Sequence, residues 1–425
     1  MRQPVDLLIT NARQLITCAS DGPKRGQSMT DVGLIRDGAV AVQSGKILAV
    51  GSTSELQSLY TARKTIDAEN KVVAPGFVDA HTHVVYAGDR VAEFEMRIRG
   101  ATYMEIMAAG GGIVSTMQEV RSVTMQRLVT ETKRRLDEML LLGTTTAEVK
   151  TGYGLSLDAE MKLLNAIAHL HNSHPITLIP TFLGAHAIPP EYQGRTNAYV
   201  DLVIEEMIPA AATWYKDSPF PQQQIPFFCD VFCEAGVFDI AQSRRVLKAG
   251  LAHGMKPKLH VDEFENLGGV TLAVEIGATS VDHLDVTPPA EIKRLAASDT
   301  IGVVIPAVNF NLGSCHFADA RGFIDAGVAL ALATDINPGS APTPSMPTVM
   351  AIAARYQKLL PAEVLNASTI NAAYAVGLGD RVGSLQAGKQ ADIIILNTTD
   401  YRHLAYEFGK NFVEMVIKDG VVVMG

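Results

Sequence analysis

From about residue 77 onward, short apolar runs rich in β-branched residues alternate with stretches of helical periodicity, and this alternation constrains the fold more than any other feature. The runs are "GFVDAHTH" (76 to 83), "TTTAEVK" (144 to 150), "ITLIPTFLGAH" (176 to 186), "FFCDVFCE" (227 to 234), "KPKLHVDEF" (256 to 264), "TSVDHLD" (279 to 285), "IGVVIPA" (301 to 307) and "VALALATDI" (328 to 336). Eight strands with helical patterns between them predict a TIM (β/α)8 barrel. One of those helices is "RLVTETKRRLDEMLLLG" at 127 to 143, where Leu128, Thr132, Leu136, Met139 and Leu140 recur at near-helical spacing before a Gly. A doubly wound sheet needs fewer strands and usually a Gly-rich first turn, where this chain places histidines.

The chain's 425 residues exceed the usual size of one core, and its two ends read differently from the middle. Residues 1 to 70 ("VDLLIT", "GAVAVQSGKILAVGS", "KTIDAENKVVAP" just beyond) and 391 to 425 ("ADIIILN", "FVEMVIKDGVVVMG") are short strands broken by Asp-Gly, Ser-Gly and Asn-Lys turns. Together they predict a small β-sandwich domain built from both termini, with the barrel occupying 71 to 390. A hydrophobic content of 47% with 19% charged residues describes a well-buried globule. The net charge of −9, with no dense run of Lys or Arg, argues against nucleic acid as a partner. The N-terminal apolar run is too short for a signal-peptide core and no segment approaches a membrane span, so a cytoplasmic protein is expected. Four cysteines (Cys18, Cys229, Cys233, Cys315) are too few for a disulfide framework and are expected as buried thiols.

Reactive side chains of such a barrel sit at the C-terminal ends of its strands. The first strand ends in His81 and His83, the third in His186, and the fifth in His260 with Asp262 and Glu263 following. The sixth ends in Asp282 and His283, the eighth in Asp335. On a strand, residues two apart share a face, so His81 and His83 can close on one ion; solvated histidines at a strand end are the alternative. Pooled over the barrel, ionisable groups in contexts as apolar as "VALALATD" carry a penalty unless paired or bound to metal. Three neutral imidazoles and a carboxylate (His81, His83, His260, Asp335) suit zinc or iron. His169 and His171 diverge by about 200° around a helix and are expected at the surface, and His316 and His403 stand alone. "AAGGGIVST" at 108 to 116 lacks the G-x-G-x-x-G order and is expected as a flexible lid. Cys229 and Cys233 share a strand face without further Cys or His at zinc spacing, and belong to the core.

At this point several blocks carry a resemblance. "DAHTH" with a strand-5 His, a strand-6 His and a strand-8 Asp looks like the amidohydrolase superfamily. "FEMRIRGATYMEIMAAGGGIVST", "VKTGYG", "LGAHAIPPEY", "KLHVDEFENLGG" and "ATDINPGSAP" narrow it to a resemblance to the imidazolonepropionases, over about 70 to 395. That resemblance implies opening of 4-imidazolone-5-propanoate to N-formimidoyl-L-glutamate in histidine degradation. It implies His81, His83, His260 and Asp335 as metal ligands, for one divalent or trivalent ion, Zn or Fe. Arg90, Tyr153, His186 and Glu263 match substrate-contacting positions, Asn337, Gly339 and Ser340 the loop that touches the product, and His283 the superfamily's strand-6 histidine. A homodimer is implied as well. The strand-7 exit "PAVNFNLGS" is more polar than the family pattern, and Ile336 stands where Phe is more usual.

The chemistry follows from the residue types. A metal with three histidines, one carboxylate and an open position lowers the pKa of bound water. Asp335 can carry the water proton to the departing ring nitrogen, Glu263 can hydrogen-bond that nitrogen, and His283 can hold the carbonyl oxygen as it gains charge. Arg90 offers a planar fork to the propanoate, or else a surface ion pair with Asp89 or Glu93. The alternatives are another amidohydrolase acting on a related small nitrogen heterocycle, such as a deaminase, and a non-catalytic metal-binding scaffold.

Overall fold

The computed structural model describes residues 2–101, 105 and 110–425. The chain starts with a long strand, β1 (Gln3–Ile16), followed by β2 (Leu34–Gln43), β3 (Lys46–Ser52), β4 (Tyr60–Asp67) and β5 (Val72–Pro75). Eight barrel strands come next: β6 (Phe77–Asp79), β7 (Thr144–Lys150), β8 (Thr177–Ala185), β9 (Phe228–Cys233), β10 (Lys256–Val261), β11 (Ser280–His283), β12 (Ile301–Val304) and β13 (Leu330–Leu332). The chain then returns to the first sheet with β14 (Ile393–Leu396), β15 (Val413–Lys418) and β16 (Val421–Met424).

The terminal strands form one sheet in the order β16-β15-β14-β5-β1-β2-β3, with β4 also pairing β1. β1 can serve both wings because it is long and bulged: its register with β2 slips between Ile9 and Ala12, where Asn11 sits at φ 57°. Its first half pairs β4 and its second half pairs β5. One buried apolar cluster of this sheet joins Leu7, Ile9 and Val40 of one wing to Ile393, Ile395 and Ile417 of the other. β5 belongs to this sheet, so the N-terminal contribution runs past residue 70.

The barrel strands run parallel and in chain order from β6 to β13. β13 and β6 are joined beyond their ends, where Asp335 N donates to His81 O (2.9 Å) and His83 N to Ile336 O (3.1 Å). Inside the same seam the Asp79 carboxylate accepts from Thr334 N (3.0 Å) and Thr334 Oγ1 (2.6 Å). The helix Met125–Leu141 shows how the outer ring is made. Thr124 caps it by accepting from Arg127 N, Leu128, Thr132, Leu136 and Met139 form its buried face, and Gly143 at φ 92° turns the chain into β7. Among the described residues no helix is long and apolar enough to cross a membrane.

Several expected elements are shorter than the apolar runs that announced them. The first strand stops at Asp79, so His81 and His83 lie just past it in irregular chain held by the seam bonds and by Lys150 N donating to Thr82 O (2.9 Å). The polar strand-7 exit is a short helix, Pro306–Asn311. Of the stretch expected as a lid, residues 108 and 109 lie outside the described residues, and from Ile113 it is helix. Cys18, Cys229 and Cys233 are buried and free as expected, but Cys315 is exposed, because it follows that short helix in a surface turn.

Candidate metal centre and active site

The strand exits place His81, His83, His260, His283 and Asp335 together, each no more than 3% exposed. His81 Nε2 lies 3.4 Å and His83 Nε2 3.5 Å from the same oxygen, Asp335 Oδ1, and His260 Nε2 lies 3.4 Å from His83 Nε2. Among the described residues three groupings satisfy the spacing for one ion: His81 with His83 and His260, His81 with His283 and Asp335, and His81 with Glu148 and Asp282 on the far side of its ring. His81 Nε2 and Asp335 Oδ1 are buried with no hydrogen-bond partner. Lone pairs crowded this closely repel one another and are costly to bury, and a cation between them removes both penalties. The residues therefore fit a metal ion.

The far side of each imidazole supports this orientation. His81 Nδ1 sits 2.7 Å from Asp282 Oδ2, and His260 Nδ1 sits 3.1 Å from Asp230 Oδ2. The bond to Asp282 keeps the proton on His81 Nδ1 and leaves its Nε2 as a donor to metal, whereas His260 Nδ1 faces Asp230 at ion-pair distance without hydrogen-bond geometry. Burial pushes His81, His83 and His283 well below the usual histidine range, and His260 downward too, which keeps them in the neutral, ligating form.

Beneath the ligands lies a fully buried charge cluster. Lys150 Nζ donates to Asp230 Oδ2 (2.7 Å) and Glu148 Oε1 (2.9 Å) and stands 3.4 Å from Asp282 Oδ2, while Lys258 Nζ donates to Glu148 Oε2 (2.7 Å) and Ala80 O (3.1 Å). Burial works against the Lys150 ammonium, but Asp230, Glu148 and Asp282 outweigh it and hold it above the usual lysine range. Burial likewise opposes an ionised Asp230, yet His260 and Lys150 outweigh it, whereas burial leaves Asp282 pushed up to about 6 in spite of Lys258 and Lys150. Removing one partner from such a cluster costs roughly 3–5 kcal/mol, because the remaining charges stay buried.

Around the cluster, backbone that L-residues rarely adopt aims the side chains: His283 has φ 83°, Asp262 57° and Asp335 51°. Glu263 is brought to the pocket 3.8 Å from His283 Nδ1, on a loop that Glu234 grips by accepting from Phe264 N and Glu265 N, both at 3.0 Å. Burial, with Asp335 and Asp285 nearby, pushes Glu263 well above the carboxylate range, which favours its protonated form. Asp262 turns away instead and binds Asn266 and Thr287.

His186 stacks on His83 with centroids 4.8 Å apart, and Tyr153 packs against both rings. Burial takes His186 down to about 3, so its Nδ1 donates to Gly152 O (3.0 Å) as a neutral ring. Gly152 is required there: at φ 103° a Cβ would also meet His186 Nδ1 at 2.8 Å. The loop carrying Tyr153 is pinned by Glu160, which accepts from Gly152 N, Gly154 N and Leu155 N at 2.7–3.0 Å. Arg90 donates from Nε to Thr116 Oγ1 (2.9 Å), stands 4.0 Å from Glu93, and lays its guanidinium over Gly339. Asn337 spends its amide inside the loop after β13: Nδ2 donates to Asp335 O, and Oδ1 accepts from Gly339 N and Ser340 N, each bond 2.7–2.8 Å. It holds Asp335 and the Gly339–Ser340 turn in place.

The expected site residues thus gather at one end of the barrel. Sequence reasoning passed over Glu148, Lys150, Asp230, Lys258 and Asp79, and left Asp282 without a role. The period-two alternation that paired His81 with His83 also points Asp79, Lys258 and the Glu148/Lys150 pair inward, and would have found them.

Comparison with known proteins agrees with this geometry. The amidohydrolase family model matches residues 245–423. The chain is 57% identical to the imidazolonepropionase of Chloroflexus aggregans over 99% of each chain, and 48% identical to that of Geobacillus kaustophilus over 98% of each. Among solved structures it resembles an adenosine deaminase from Xanthomonas campestris with bound zinc, at TM-score 0.74 and 22% identity, covering 100% of this chain and 94% of that one. A triazine hydrolase variant follows at TM-score 0.73 and 17% identity, covering 98% and 94%. The structural likenesses establish the barrel-plus-sheet fold, and near full-length identity to the curated relatives makes this chain a member of the imidazolonepropionase family of amidohydrolases.

Proposed function

We propose that this protein hydrolyses the ring amide of 4-imidazolone-5-propanoate to N-formimidoyl-L-glutamate, the third step of histidine degradation. The observation that carries the reading is the pair of orphaned atoms, His81 Nε2 and Asp335 Oδ1, converging with His83 and His260 beside a guanidinium poised over the loop after β13. One divalent ion, zinc or iron, held by His81, His83, His260 and Asp335, supplies Lewis-acid activation of water and carbonyl. Arg90 binds the propanoate carboxylate with its fork, and the stacked His83 and His186 with Tyr153 wall the ring side. The water oxygen adds to the ring carbonyl carbon, and Asp335 takes the proton that it loses. His283 donates to the carbonyl oxygen as that oxygen gains charge. The carbon–nitrogen bond then breaks, with the proton on Asp335 passing to the departing nitrogen while protonated Glu263 steadies it by a hydrogen bond.

The test is loss of the substrate's ultraviolet absorbance on adding metal-replete protein; an unchanged chromophore would sink the reading. Elemental analysis distinguishes zinc from iron. We further read the protein as a cytoplasmic homodimer: the four free cysteines fit a reducing compartment, and sedimentation gives the mass.

A further inference from the structure

Lys150 is fully buried, carries no role in the chemistry above, and yet touches both carboxylates that stand behind the metal site. The oxygen that faces it on Asp230 is Oδ2, the same atom that lies 3.1 Å from His260 Nδ1. On Asp282 it is again Oδ2, the atom 2.7 Å from His81 Nδ1. One ammonium therefore stands behind two carboxylate–imidazole pairs that belong to different strands, β10 and the exit of β6. The remaining oxygens are fixed separately: Asp230 Oδ1 accepts from Val231 N (2.7 Å) and Asp282 Oδ1 from Ser280 Oγ (2.7 Å). Each aspartate is thereby held at one oxygen by its own strand and faced at the other by Lys150, which hydrogen-bonds Asp230 and stands 3.4 Å from Asp282.

We propose that Lys150 is a positioning residue of the metal centre, locking Asp230 and Asp282 so that His260 and His81 both present Nε2 to the same ion. The inference rests on the metal-site reading above. Lys258 hydrogen-bonds Glu148 and Ala80 O and neither aspartate, although its charge also favours an ionised Asp282. A point charge with three donors on a flexible stem suits the task, because it must meet three acceptors from three strands: Glu148, Asp230 and Asp282.

The competing account is that Lys150 only balances buried negative charge. The double variant Lys150→Met/Glu148→Gln separates the two, since it removes one cation and one anion while leaving the four assigned ligands unsubstituted, and Glu148→Gln alone measures what Glu148, itself near His81, contributes. Zinc affinity is measured by chelator competition on the native protein, on Lys150→Met, on Glu148→Gln and on the double, alongside thermal melts. Positioning predicts that the double melts closer to the native protein than Lys150→Met does, while its zinc affinity stays about 10- to 100-fold below native, the usual effect of losing an outer partner of a metal ligand. Zinc affinity of the double within twofold of native would overturn the proposal. Should the variants not fold, nitrogen NMR of native zinc-loaded protein decides: protonated Nδ1 and metal-bound Nε2 on both His81 and His260 are expected, and an Nδ1-bound ring at either overturns it. Native protein that binds no zinc or iron would instead overturn the metal reading itself.

Discussion

Gly339→Ala is a small change with a directed consequence. The glycine's backbone lies outside the left-handed region, so alanine fits its dihedrals, and its N–H bond to Asn337 Oδ1 (2.8 Å) is untouched. The new Cβ, however, would stand 2.2 Å from Arg90 Nη1 and 3.0 Å from Arg90 Cζ. The guanidinium must withdraw by about 1 Å to reach ordinary contact. It cannot swivel freely, because Nε is held by Thr116 Oγ1 and the side chain is only 12% exposed. A fork displaced by that much loses one or both of its bonds to a carboxylate, each roughly 1.5–3 kcal/mol for a charged pair. KM for the acid substrate should therefore rise about 10- to 100-fold, with kcat reduced less and the melting temperature nearly unchanged. Steady-state kinetics and a thermal melt on the same preparation test it. Arg90→Met should raise KM to the same degree, and the double variant should add little to either. A KM that stays at the native value in Gly339→Ala while Arg90→Met raises it would show that the guanidinium yields without losing its ligand; no change in either would remove Arg90 from carboxylate recognition.

Three further outcomes are expected. His81→Ala or His260→Ala should abolish activity and lower bound metal, checked by elemental analysis; full metal stoichiometry in both would contradict the ligand assignment. Asp335→Asn should be nearly inactive while keeping much of its metal, because an amide can coordinate weakly but relays no proton, and an active variant would take Asp335 out of the proton path. Burial brings Lys389 down to about 8 against an ordinary 10.5, so between those values the unfolded chain holds a proton that the folded one lacks. Native stability relative to Lys389→Met should therefore rise as pH climbs from about 8 to about 10.5 in urea melts; a difference flat in pH would refute it.

The sequence was most legible where side-chain period and chemistry coincide. Runs such as "TTTAEVK" and "KPKLHVDEF" announced strands, and the residues at their ends gathered at one mouth of the barrel. Less legible was where each strand stops. "GFVDAHTH" reads as one strand, but its regular ladder with β7 ends at Asp79; beyond it Thr82 still bonds Lys150 N and Glu148 O, and the histidines are held across the seam to residues 335 and 336. That contact depends on how the last strand arrives and leaves no local trace. The same holds for Glu148, Lys150 and Asp230: taken singly, each is a charge in an apolar run, and only the closing of the barrel brings partners 80 or more residues apart within a bond length of one another. The turning away of Asp262 was hidden for another reason, since it depends on a left-handed backbone at a residue type that gives little warning of it.

The interleaving of β14 between β5 and β15 has a consequence for the chain's birth. As the polypeptide leaves the ribosome, β1 to β5 can assemble early, but one edge of β5 has no neighbour until the entire barrel has been synthesised and Ile393–Leu396 emerges. Throughout that interval Val72, Val73 and Ala74 present an apolar, unpaired edge, the kind of template on which nascent chains stick to one another. Translation ended at residue 390 should accordingly yield aggregate, and adding the 391–425 segment in trans should recover soluble protein if the vacant edge is the cause; soluble truncated chain would dispose of the idea.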